Sequence, residues 1–80
     1  MATSTKMDAN QLARLLGAWS AGSGPLYHQL ARGVVTLIDD GALRDRTVLP
    51  PERSLAAALS VSRSTVVAAY SELKEQGHLT

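Results

Sequence analysis

Apolar residues recur along the chain at the spacing of an α-helix. Leu12, Leu15, Leu16 and Trp19 stand at i, i+3, i+4 and i+7, which predicts one helix face with Trp19 as a packing residue and Asp8 or Asn10 as the cap. The run Ser20-Ala21-Gly22-Ser23-Gly24 breaks this pattern and reads as a short hinge. Pro25 suits the first position of a second helix, and Leu26, Leu30, Val34, Leu37 and Ile38 form its stripe. Gly41 stands where a left-handed terminal residue belongs. Gly33, Val34 and Val35 weaken this helix intrinsically by roughly 1 kcal/mol or more, so packing of the leucine stripe must hold it. Arg44, Asp45 and Arg46 are a polar turn, and Thr47-Val48-Leu49 predicts one short extended strand that Pro50-Pro51 stops.

The last third repeats the helical period twice. From Pro51 to Leu59, the initial proline, Glu52 in the first turn and Leu55, Ala58 and Leu59 predict a helix of two to three turns. Ser60-Val61-Ser62 interrupts it, and Val66, Ala69, Tyr70 and Leu73 then hold one face up to Gly77. Ser62 is the natural N-cap of that helix. Two helices joined by three residues, the first short and rich in alanine so that the second crosses closely, form the helix-turn-helix pattern.

Length and composition narrow the function class. Eighty residues with 45% apolar content allow one small core, in which a deep catalytic cleft is not expected. No cysteine occurs, which excludes disulfides, thiolate zinc sites and cysteine nucleophiles. No apolar stretch approaches the roughly 20 residues of a membrane span. Met1 to Met7 is polar and reads as a disordered terminus, and the expected location is cytoplasmic. Ala21-Gly22-Ser23-Gly24 lacks the first glycine of a nucleophile elbow. His28 and His78 have no ligand partners at suitable spacing, so no metal is assigned. Tyr27 and Tyr70 read as core residues with a wet hydroxyl edge.

Net charge is only +1, but its distribution is informative. Four arginines lie between Arg44 and Arg63 against Asp45 and Glu52, and Ser60 to Thr65 contains no acid. A helix entering the DNA major groove needs small or hydrogen-bonding side chains at its start. Ser62, Arg63, Ser64 and Thr65 meet that need, and Ser64, Val67, Ala68 and Ser71 form a small, uncharged outer face. Arg63 can fork onto guanine O6 and N7 or onto phosphate, and Val67 and Ala68 can touch a thymine methyl. Arg53 is placed to reach a flanking phosphate or to pair with Glu52 or Asp45. Arg44 and Arg46 are further candidates for the DNA backbone.

The stretch from Leu49 to Val66, with Pro50-Pro51-Glu52-Arg53-Ser54-Leu55 and Val61-Ser62-Arg63-Ser64-Thr65, resembles the GntR family of bacterial transcription regulators. The likeness continues through Tyr70, Leu73, Glu75 and Gly77-His78-Leu79, and reaches back to Gly24-Pro25-Leu26-Tyr27. With the Leu12 to Trp19 element and Val67-Ala68-Ala69-Tyr70, it is most similar to the MocR subfamily.

The resemblance implies a mainly α, winged helix-turn-helix fold: a three-helix core, an N-terminal helix, one short strand, and a wing hairpin largely absent because it begins near Thr80. Residues 1–7 form the terminus, 8–24 the N-terminal helix and hinge, and 25–80 the DNA-binding domain. The recognition helix spans about residues 62–76, and the implied DNA contacts are Arg53, Ser62, Arg63, Ser64 and Thr65, beside Val67 and Ala68 on the outer face. The implied partner is a double-stranded operator, bound by a homodimer of the full-length protein. MocR proteins continue into an aminotransferase-like domain that binds pyridoxal phosphate, so neither cofactor nor catalysis is assigned to this chain.

Three departures from the family pattern bear on this. Ser60 stands in place of a glycine, at a cost of about 1 kcal/mol if the position is left-handed. Pro51 replaces a capping serine, and Val67 an arginine found in some subfamilies. The rival reading is a helical protein-interaction module in which the Leu12 to Trp19 helix packs on a partner and no DNA is bound.

Overall fold

The computed structural model describes residues 7–43 and 48–77. Among these residues four helices follow in chain order: α1 (Ala9–Leu16), α2 (Leu26–Asp39), α3 (Glu52–Leu59) and α4 (Arg63–Glu75). Each touches two others in a closed cycle, with α1 on α2 and α3, and α4 on α2 and α3. Leu12, Leu16, Leu30, Ala31, Val34, Leu43, Leu55, Ala56, Val66, Ala69 and Leu73 are buried together inside it. The N-terminal helix is therefore part of the common core, not an appendage to three helices.

Several expectations need correction. α1 ends at Leu16 because Gly17 adopts φ 54°, so Trp19 lies beyond the helix and packs on the core from the following turn. Leu15 remains 39% exposed, which leaves Leu12 and Leu16 as the buried pair. Leu12 and Leu16 of the face proposed for a protein partner thus serve the domain's own core. Asp8 occupies the N-cap position of α1 without a side-chain capping bond.

Pro25 and Pro51 each stand one residue before their helix, as N-caps. Their carbonyls accept the first N–H groups, from His28 and Gln29 in one case and Leu55 in the other. Leu26 is 44% exposed and Tyr27 is exposed as well, so neither joins the core. In the first turn of α2, Gln29 is the residue that becomes buried. Its amide Nε2 donates to the Gly24 carbonyl at 2.8 Å, tying the Ser20 to Gly24 segment to α2.

Gly33 has a packing role. A Cβ there would lie 3.0 Å from Leu16 Cδ2 and 3.5 Å from Trp19 Cβ, so the missing side chain lets α1 and its following turn settle on α2. Gly41, at φ 81°, follows the end of α2 as expected, and Leu43 then tucks into the core.

No strand occurs among the described residues. Val48 is joined by its carbonyl to the Met7 N–H at 3.1 Å, and the prolines that follow have no N–H to extend a ladder. Thr47, Arg44, Asp45, Arg46 and His78, together with the terminus before Met7, lie outside the described residues.

Candidate nucleic-acid interface

The turn between α3 and α4 sets the geometry of the interface. Ser60 adopts φ 59° and ψ 42°, the only positive φ of a non-glycine residue among those described. Its N–H bonds the Ala57 carbonyl and the Val61 N–H bonds the Ala56 carbonyl, which is the Schellman ending of a helix. The position that the sequence marked as an unusual serine is therefore left-handed. Two residues later Ser62 opens α4 in extended conformation, and its Oγ accepts the Thr65 N–H at 3.3 Å.

Ser62 Oγ also lies 3.1 Å from Ser64 Oγ and 2.9 Å from Thr65 Oγ1. A hydroxyl donates once and accepts twice. Having accepted the Thr65 N–H, Ser62 can accept one hydroxyl proton and must give its own to the other neighbour. Its capacity is then full, while whichever of Ser64 and Thr65 receives that proton keeps a free O–H. The cap thus organises a hydroxyl cluster on the solvent side of the helix start.

Arg63 and Glu52, each the first residue of its helix, meet across the turn. Arg63 Nη2 stands 3.6 Å from Glu52 Oε1, with side chains 65% and 35% exposed. A surface pair of this kind contributes about 0 to 1 kcal/mol, and one long contact leaves most of the five guanidinium donors free. Glu52 therefore faces Arg63, not its neighbour Arg53. Arg53 is exposed on the first turn of α3 and makes no ion pair with another described residue.

On the outer side of α4, Ser64, Val67 and Ser71 are exposed and Ala68 is half-buried. Val67 is 38% exposed, an apolar side chain on an uncharged surface. The opposite side is buried through Val66, Ala69 and Leu73. Glu72 is drawn away from the outer face, since His28 Nδ1 on α2 lies 3.0 and 3.1 Å from its two carboxylate oxygens. Tyr70 donates its hydroxyl proton to the Pro50 carbonyl at 2.6 Å. Burial, and then the negative charge of Glu52, push that phenol well above the usual tyrosine range. The hydroxyl edge of Tyr70 is thus half-buried and bonded to the chain.

These four contacts, Ser62 with its hydroxyls, Glu52 with Arg63, Tyr70 with Pro50 and His28 with Glu72, were only partly visible beforehand. The cap had a local signature, a serine ahead of a periodic run. The other three join residues distant in sequence, whose meeting depends on how the helices cross. No described helix is long and apolar enough to cross a membrane.

Comparison with known proteins agrees with this geometry. The family described as "Bacterial regulatory proteins, gntR family" matches residues 26–80. The chain is 38% identical over 60 residues to the HTH-type transcriptional regulator SmoD of Agrobacterium fabrum, covering 75% of this chain and 26% of that protein. It is 38% identical over 61 residues to the HTH-type transcriptional regulator GgaR of Escherichia coli K12, covering 76% and 25% respectively. The probable rhizopine catabolism regulatory protein MocR of Rhizobium meliloti is 40% identical over 55 residues, or 69% of this chain and 11% of that protein. The chain thus spans about a quarter of the first of these relatives. No solved structure matches it significantly. Since the family's pattern matches most of the chain and includes both helices of the helix-turn-helix, the chain belongs to the gntR family of bacterial regulatory proteins.

Proposed function

We propose that this chain binds double-stranded DNA by laying the first turns of α4 in the major groove, as the sequence-reading part of a bacterial transcription regulator. The observation that carries the reading is the outer face of α4: Ser64, Val67, Ala68 and Ser71 carry no charge, and the positive Arg63 stands at its head. A merely solvated helix face would carry lysines and glutamates. In this reading Arg63 reads a guanine edge, Val67 and Ala68 meet thymine methyls, and the free O–H of Ser64 or Thr65 bonds a phosphate. Ser62 holds the cluster, and Arg53 anchors a flanking phosphate. The helix N-terminus adds its partial positive charge to the same side.

The MocR likeness supports a homodimer of the full-length protein acting in the cytoplasm at the nucleoid. Pairing two half-sites would supply avidity that one such domain lacks. The described residues do not fit pyridoxal phosphate, because the one lysine among them, Lys74, is exposed on the last turn of α4. That cofactor belongs, in this proposal, to the domain that the likeness implies after Thr80.

Amide chemical-shift mapping tests the placement. Adding duplex should move resonances of residues 53 and 62–71 and leave those of Leu15 and Leu26 in place. Shifts confined to α1 and α2 would contradict it.

A further inference from the structure

We propose that Glu52 is a specificity-determining residue of the DNA interface, its carboxylate holding Arg63 back from phosphates and leaving it free for a base edge. The inference rests on the reading of α4 as the DNA-contacting helix. Between Pro51 and Ser71 Glu52 is the only acidic residue, and it stands 3.6 Å from the cation that heads the interface. An acid on a surface meant for a polyanion opposes every duplex alike, so its placement calls for a function.

Stability alone does not supply that function. An acid in the first turn offsets the helix dipole from any exposed position, without reaching a neighbouring helix. Here α4 packs on α3 after the three-residue turn, and the carboxylate and the guanidinium, each on the first residue of its helix, meet. The side chain of Glu52 is also about two-thirds covered, which limits its retreat when DNA approaches.

The electrostatics separate two kinds of contact. A phosphate oxygen approaching Arg63 comes within a few ångströms of the Glu52 carboxylate and is repelled by it. Guanine O6 and N7 are uncharged acceptors and meet far less repulsion, while the guanidinium keeps donors for both. The carboxylate can in addition accept the amino group of a cytosine. Random contact is thereby weakened more than base-edge contact, and selectivity rises as total affinity falls.

The test is a two-by-two set of chains, wild type, Glu52→Gln, Arg63→Ala and the double variant, titrated against a pool of random-sequence duplexes across a salt series. Glu52→Gln should bind the pool about threefold to tenfold more tightly, with a salt slope steeper by about one. Sites selected from the pool by this variant should be less uniform than those selected by wild type. With alanine at position 63 the same exchange should change affinity by less than about twofold, since the effect acts through that guanidinium. Equal or weaker pool binding by a folded Glu52→Gln chain would overturn the proposal, and so would the same gain in both backgrounds, which is a plain field effect. If Arg63→Ala binds as wild type does, the α4 reading itself fails. If that variant weakens binding and Glu52→Gln does not strengthen it, only the assignment to Glu52 fails. Glu52→Ala supplies a second carboxylate-free chain should the glutamine variant not fold.

Discussion

The hydroxyl of Tyr70 lies 2.6 Å from the carbonyl of Pro50, twenty residues earlier in the chain, and donates to it. This bond fastens the extended segment ahead of α3 to the middle of α4. Its acceptor stands two residues ahead of Glu52, the carboxylate that meets Arg63. Pro50 is a buried residue, and without this bond its carbonyl would lose its partner.

Tyr70→Phe should therefore cost about 1 to 2 kcal/mol at neutral pH, through the lost bond and the stranded carbonyl. The same contact makes stability depend on alkaline pH. Only the protonated phenol donates, and its folded pKa lies above the unfolded value of 10.0. The contribution is therefore complete below about pH 10 and is lost as pH rises through the folded pKa. Urea unfolding from pH 8 to 11 should show wild type losing its advantage over Tyr70→Phe above pH 10. A constant difference across that range would refute the linkage.

Ser60→Gly should stabilise the domain. A serine at φ 59° carries a left-handed strain that glycine does not, and relief of about 1 kcal/mol corresponds to a rise of about 4 to 8 °C in Tm for a chain of this size. DNA binding should be unchanged when both chains are folded. A thermal melt equal to or below the parent's would show that the serine is not strained there.

Leu30→Ala should unfold the chain. Leu30 is fully buried on α2, and its truncation costs about 2 to 5 kcal/mol, comparable with the whole stability of a small domain. Far-ultraviolet circular dichroism should show lost helicity and no cooperative transition. A melt near the parent's would contradict the central place of this side chain.

Much of the fold was legible because its signals are local. The stripe of α2, the buried set of α4, the serine cap and the three-residue turn all follow from spacing within a few residues. The length of α1 did not, because Gly17 ends the helix inside a stretch whose apolar period continues to Trp19. Burial of Gln29 and exposure of Leu26 were likewise hidden, since the side of α2 that meets its neighbours is decided by how the helices cross. The outer face of α4 was readable as a run of small, uncharged residues. The pairing of Glu52 with Arg63 was not, although one trace of it is present: a single acid in a long stretch otherwise free of them.

The central claim is that Arg63 and the start of α4 contact DNA. Fluorescence anisotropy of a labelled duplex, titrated with the chain and with Arg63→Ala across a salt series, tests it most directly. The account predicts a steep negative dependence of affinity on salt, a loss of about 1 to 3 kcal/mol in the variant, and a shallower slope for it. A flat salt dependence, or superimposable curves from two folded chains, would contradict it.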